Sequence, residues 1–219
     1  SGIRHVVHSR FGCRSGAGPK PAGRYAYSAP AESHLRFAEK GVGRALAPIP
    51  FSSTVYIVNE ALRLAGSDEQ KQKYLPRLAS GVCIGALALA ERPGQLGIRD
   101  LATELRDGRL YGAKVPVLDG DVANLAVVAA RDGESTSLVL VELDGAGVER
   151  SALRSLDPAR SQARIRFDGA RAKHLGQVGQ GAELLDRVQQ RAAVLLAFEQ
   201  LGGAQRCLDI AREFAMGRY

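Results

Sequence analysis

Residues 82–100, VCIGALALAERPGQLGIRD, run directly into residues 101–120, LATELRDGRLYGAKVPVLDG. The first half is an apolar run that breaks at Pro93-Gly94. The second half is a polar hairpin cornered on Asp107-Gly108, a dipeptide suited to a tight two-residue turn. Helical spacing lies on both sides of this block. A strand block set between helices makes its own layer or a small barrel.

Further strands follow downstream. Asn124–Ala130 and Ser137–Leu143 read as buried strands joined through Asp132-Gly133. Val148–Leu153 reads as another. Ala163–Phe167 alternates charged and apolar residues, as a half-exposed strand does. With Ile84–Leu89 and the two arms of the hairpin, this makes six or seven short strands at hairpin spacing. A closed or nearly closed antiparallel barrel leaves the fewest unpaired edges, so that arrangement is expected.

Upstream, Leu35, Ala38, Val42, Ala45 and Leu46 recur at helical spacing until Pro48 and Pro50 end the pattern. Ser52-Ser53-Thr54 offers caps for a second helix through Val55, Val58, Leu62 and Leu64, stopping at Gly66. Ser67 and Gln70 form a capping box for a third, which carries Tyr74, Leu75 and Leu78 and stops at Gly81. After Gly176, Gly179 and Gly181 the helical period returns from Ala182 to Met216, interrupted only by Gly202-Gly203. Leu185, Val188, Ala192, Leu195, Leu201, Ala204, Leu208 and Ala211 are read as one apolar stripe. At 1.5 Å per residue this helix is about 52 Å long. Its stability must come from packing, so partner helices are expected.

The composition excludes several function classes. The chain has 219 residues, 45% of them hydrophobic, with 5% aromatics and no Trp. No apolar run approaches the roughly 20 residues that cross a bilayer, so no membrane span is expected. Sparse aromatics disfavour base-stacking platforms. The net charge of +7 is not clustered on one helix, which argues against a nucleic-acid partner. Arg4, Arg10, Arg14, Lys20 and Arg24 precede the first acidic residue, Glu32, so residues 1–34 are expected to form an unstructured basic leader. Cys13, Cys83 and Cys207 form no CxxC pair, which excludes a zinc ribbon. Cys83 and Cys207 sit in apolar patterns and read as small buried hydrophobes. That usage suits a reducing, cytoplasmic location.

The sequence shows no metal site and no certain catalytic residue. His5, His8, His34 and His174 have no ligand-spaced partner. There is no phosphate-loop signature, no GxGxxG and no GxSxG elbow. GQVGQG at 176–181 leads from strands into a helix and follows no parallel strand. Glu91, just past the apolar run, is the one candidate general base, and a solvated strand-end carboxylate is the competing reading.

Several blocks together resemble the acyl-CoA dehydrogenase family. Residues 66–81, GSDEQKQKYLPRLASG, resemble the helix leading into that family's barrel. Residues 88–94, ALAERPG, are similar to its leucine-threonine-glutamate-proline-glycine strand end. Residues 110–114, LYGAK, are similar to its second strand. Residues 166–170, RFDGA, with Leu175-Gly176 and Gly179–Gly181, resemble the barrel exit. Ala197–Ala211 and the closing Gly-Arg-Tyr219 resemble the first long helix of its C-terminal bundle. Residues 45–50, ALAPIP, are similar to the actinobacterial-type branch. The resemblance covers residues 35–219.

This resemblance implies an α+β chain. A partial N-terminal helical domain would span 35–80, a central β-barrel 81–173, and the start of a C-terminal four-helix bundle 174–219. It implies FAD as cofactor and an acyl-CoA thioester oxidised between Cα and Cβ, with a glutamate removing the α-proton and hydride passing to the flavin. Leu89, Glu91 and Val117 match the family's flavin-side positions. Ala90 replaces the threonine of the first flavin motif, and Leu96-Gly97 its glycine-serine. Pro116-Val117-Leu118 replaces an aromatic-isoleucine-threonine. Two lost hydroxyl contacts at about 1 kcal/mol each weaken flavin affinity by roughly 30-fold. The family's catalytic glutamate and its arginine-bearing stretch fall past Tyr219. The expectation is therefore a truncated acyl-CoA dehydrogenase, inactive alone and oligomeric through its C-terminal helix. The alternatives are a non-catalytic partner subunit of a heteromeric dehydrogenase and an unrelated ligand-binding or structural barrel.

Overall fold

The computed structural model describes residues 40–218, apart from Leu96, Arg99 and Pro158. The leader expected at 1–34 and the start of the first helix lie outside the described residues. Residues 40–45 are helical. A π-helical stretch, Ser52–Val58, runs without a break into α1, Asn59–Ala65. Helix α2, Asp68–Ala79, begins on the anticipated capping box. The Gln70 N–H donates to Ser67 Oγ at 3.2 Å, and the Ser67 N–H donates to Gln70 Oε1 at 2.9 Å. The Gln70 amide also donates to the His174 carbonyl, which ties the cap to the end of the last strand.

Seven strands follow: β1 Gly85–Ala88, β2 Glu104–Arg106, β3 Arg109–Leu118, β4 Leu125–Asp132, β5 Ser135–Glu142, β6 Val148–Leu153 and β7 Gln162–His174. Pairings β4–β2, β2–β3, β3–β7, β7–β5 and β5–β4 close the sheet into a barrel. The barrel is not purely antiparallel, which corrects the sequence expectation. β1 and β2 both pair with β4 in parallel, because the β2–β3 hairpin intervenes and brings β4 back in the direction of β1. Pro116 has no N–H to give a ladder. It falls in the irregularity between Lys114 and Val117 where β3 slips against β7.

Continuous apolar runs in β4 and β5 reflect burial on both faces. Ala126, Val128, Val139 and Val141 fill the barrel together with Leu110, Val117, Ile165 and Phe167. Leu125, Val127, Leu138 and Leu140 point the other way, against Val58, Leu62, Tyr74 and Leu78 of the helices. Cys83 joins this outer core, as read from the sequence. Cys207 is exposed, contrary to the reading, because its stretch of helix turns that side to solvent.

The last element, α3, spans Gly181–Met216 without interruption. Its launch is fixed by Ser137, whose hydroxyl donates to Asp132 and accepts from the Gly179 N–H, both at 2.9 Å. The expected single stripe proves to be two. Leu184, Leu185 and Val188 are buried against the barrel's outer face, whereas Leu201 and Leu208 are exposed on the other side of the helix. Gly202 and Gly203 do not interrupt the helix; they mark where residues 40–45 cross it. A Cβ on Gly202 would lie 2.0 Å from the Lys40 carbonyl oxygen, and one on Gly43 would lie 1.8 Å from that of Glu199. Arg44 and Asp209 pair beside the crossing at 2.5 Å.

The two neighbouring glycines should therefore respond oppositely to alanine. Gly202→Ala overpacks the crossing and is expected to cost about 1–3 kcal/mol. Gly203→Ala meets nothing nearer than 3.6 Å and is expected to gain up to about 1 kcal/mol of helix propensity. Urea unfolding midpoints of the two variants test this.

Candidate flavin-side strand end

The end of β1 and the middle of β3 are joined by a buried ion pair. The Lys114 ammonium has no solvent exposure. Its Nζ donates to the Leu89 carbonyl at 2.9 Å and to Glu91 Oε1 at 3.0 Å. The Glu91 carboxylate also accepts from the backbone N–H groups of Ala102 and Thr103, both at 2.7 Å. The Glu91 N–H donates to Gln95 Oε1 at 3.0 Å, and the Val115 N–H donates to the Ala90 carbonyl at 2.8 Å. Three segments, residues 89–91, 102–103 and 114–115, are thus fastened at one point.

This settles how Glu91 is charged. Burial raises its pKa, but hydrogen bonds from Thr103, Ala102 and Lys114 outweigh that effect and hold it at about 2. Lys114 is lowered as well. Burial lowers its pKa, partly opposed by Glu91. Glu91 is neither a poised base nor a solvated carboxylate. A carboxyl titrating near 2, with its oxygens already accepting, has no affinity left for a substrate proton at neutral pH.

The three residues read from the sequence as flavin-side stand in different states. Leu89 is half-buried against the outer core. The Glu91 carboxylate is committed to the strut. The Val117 side chain is fully buried in the barrel, so Pro116 and Leu118, the latter 37% exposed, form the outward surface of that strand. Sequence reading missed the site role of Lys114, Thr103 and Gln95. A lone lysine between the inward residues Leu110 and Val117 was the available signal, since a buried ammonium requires a partner.

A second junction joins the barrel to the helices. Arg160 donates to Ser52 Oγ at 2.7 Å, to the Ile49 carbonyl at 3.2 Å and to Glu199 at 2.6 Å, linking the β6–β7 connection, the turn before the π-helix and α3. The Ser53 hydroxyl donates to the buried Asp119 carboxylate just after β3. These contacts fix the strand end relative to α3.

The architecture is a helical segment, a closed barrel and one long helix, and comparison with known proteins places it. The acyl-CoA dehydrogenase N-terminal domain family matches residues 32–82. The probable acyl-CoA dehydrogenase FadE10 of Mycobacterium tuberculosis is 32% identical over 182 residues, covering 74% of this chain and 27% of that protein. A probable acyl-CoA dehydrogenase of Bacillus subtilis is 30% identical over 172 residues, covering 70% and 28%. The acyl-CoA dehydrogenase structure from Geobacillus kaustophilus superposes with a TM-score of 0.78 at 23% identity, over 85% of this chain and 54% of that one. The butyryl-CoA dehydrogenase of Megasphaera elsdenii gives 0.76 at 19%, over 84% and 52%. These comparisons support the acyl-CoA dehydrogenase family, of which this chain matches a part. It spans about a quarter of the length of those first two relatives, 27% and 28%.

The residues present do not fit the flavin ring that the family implies. Residues 89–91 and 115–118 carry no side-chain N–H or O–H. Pro116 also lacks a backbone N–H. The Leu89 and Ala90 carbonyls are already accepting from Lys114 and Val115. The Gln95 amide folds back onto the Glu91 N–H and the Gly97 carbonyl. Among the described residues, the polar groups of this strand end serve the barrel itself.

Two outcomes follow. Lys114→Met leaves the Glu91 charge without its cationic partner and is expected to cost about 3–5 kcal/mol in urea unfolding. The pH dependence has a definite sign. The folded pKa of Glu91 lies below its unfolded value, so its contribution is present above about pH 4.5 and is lost as pH falls through about 2. Glu91→Gln should unfold more easily at pH 7, and its midpoint should fall less steeply than wild type between pH 4.5 and 2.

Proposed function

We propose that this chain carries the barrel and first bundle helix of an acyl-CoA dehydrogenase and does not catalyse by itself. The whole protein would oxidise an acyl-CoA thioester between Cα and Cβ with hydride transfer to FAD. The chain's own contribution is a framework. The Glu91–Lys114 strut holds the strand end in the family geometry, and Arg160 sets that edge against α3. The observation that carries the reading is the commitment of Glu91. The retained acidic residue of the flavin-side motif closes the barrel, and the side chains around it offer a flavin no donor.

Association through α3 belongs to the same reading. Val194, Leu201, Leu208 and Phe214 are 51–63% exposed along one helix, a run of apolar surface suited to other helices. No helix among the described residues is long and apolar enough to cross a membrane. Two basic residues work within the protein: Lys114 is buried and Arg160 is bound in the junction.

Purified chain 1–219 is expected to be colourless, to leave added FAD fluorescence unquenched, and to give no turnover of acyl-CoA with an artificial electron acceptor. A stoichiometric yellow protein would sink the claim that the strand end does not hold flavin. Turnover would sink the claim that the chain is inactive alone.

A further inference from the structure

The turn after β1 folds a side chain back onto the strand end. Arg92-Pro93-Gly94-Gln95 is closed by the Gln95 N–H, which donates to the Arg92 carbonyl at 3.3 Å. Proline in its second position and a glycine at φ 79° in its third make it a type II turn. The turn returns the chain over Glu91, so the side chain of Gln95 meets a backbone group four residues behind it.

The Gln95 carboxamide fills two backbone positions at once. Its oxygen accepts from the Glu91 N–H at 3.0 Å, and its nitrogen reaches the Gly97 carbonyl at 3.5 Å. A backbone N–H only donates and a carbonyl only accepts, so the surroundings fix which way the amide points. A carboxamide held in this way presents a carbonyl beside an N–H. A cyclic imide presents the same edge, and the pyrimidine half of a flavin ring carries one. Gln95 is half-buried, and Arg92, Pro93, Gly94 and Gly97 around it are exposed, so the contact lies where a ligand can exchange with it.

Resting on the reading that this strand end holds no flavin as it stands, we infer that Gln95 is an internal plug, its carboxamide occupying the Glu91 N–H and the Gly97 carbonyl in place of the imide edge of a flavin-like ligand. The strut does not depend on this contact. Lys114, Ala102 and Thr103 hold Glu91 through its carboxylate, and the Glu91 N–H takes no part in those bonds. A side chain delivered by a preset turn loses little freedom in making the contact, and it competes at the high effective concentration of a tethered group. The misfit with flavin therefore has a removable component, separate from the hydroxyls that Ala90 and Leu118 lack.

Riboflavin is the probe, read by the quenching of its fluorescence on titration with chain 1–219. Gln95→Ala removes both polar atoms of the plug and is expected to bind riboflavin at least roughly tenfold more tightly than the parent. Gln95→Glu keeps an acceptor for the Glu91 N–H and is expected to stay as closed as the parent. Riboflavin methylated on its imide nitrogen should bind Gln95→Ala roughly tenfold more weakly than riboflavin itself. Amide hydrogen exchange at Glu91 should quicken in Gln95→Ala and slow again when riboflavin is added. Both variants should keep the parent's circular dichroism, since the side chain sits on a surface turn. Binding to Gln95→Ala no tighter than to the parent overturns the plug and leaves the reading of a strand end without flavin standing. So does an equal gain in Gln95→Glu, an equal affinity for the methylated probe, or unchanged exchange at Glu91. Quenching by the parent at the affinity of Gln95→Ala overturns that reading and the plug together.

Discussion

The structure depends on a lysine that has no access to water. Lys114 lies between Leu110 and Val117 on a strand whose inward side fills the barrel, and its ammonium bears a charge that burial penalises by several kcal/mol. That penalty is offset only if anionic and carbonyl oxygens come to it. Glu91 and the Leu89 carbonyl do so from the end of β1. Glu91 is in turn held by two backbone N–H groups from the approach to β2. Breaking one partner leaves the others stranded, so the three segments are constrained together. The barrel closes where β1 and β2 share one edge of β4, and this strut spans that place.

The same constraint separates fold from cofactor binding. A strand end that binds a flavin must present donors outward, whereas this one turns its polar groups inward and across. Because the strut needs Glu91 but not a hydroxyl at position 90, threonine can give way to alanine there without loosening the barrel. Because Val117 packs inside, its outward neighbours Pro116 and Leu118 carry no structural duty that would preserve a hydroxyl. The packing that holds such a strand end and the donors it would present outward are therefore physically separable.

Much of this fold was legible in the sequence where short-range rules decide the outcome. The Ser67–Gln70 cap, the Asp107-Gly108 corner and the alternation in β7 are local, and each appears where the pattern placed it. The parallel pairing of β1 with β4 was not legible, since about forty residues separate partners such as Gly85 and Leu125 and no local signal records which edge they share. Glu91 was visible as a residue but not as a strut, because its partners come from 11, 12 and 23 positions away. Cys207 looked buried because composition records apolar neighbours and not the direction a helix turns them.

The long helix carries the same lesson furthest. Its apolar positions read as a single stripe, yet the step from Leu195 to Leu201 is six residues, about 600° of rotation at 100° each, and so lands about 120° away round the helix. The helix is accordingly held on the barrel by its first half and on residues 40–45 at the glycine crossing, with its second half standing clear. The crossing requires glycine on both helices because the backbones approach to within a Cβ's reach. Gly202, set against Gly43 of the crossing helix, permits that contact while the opposite side keeps its alternating Leu and Ala. Gly202, which looked like part of an interruption in the sequence, is what allows one helix to serve two surfaces.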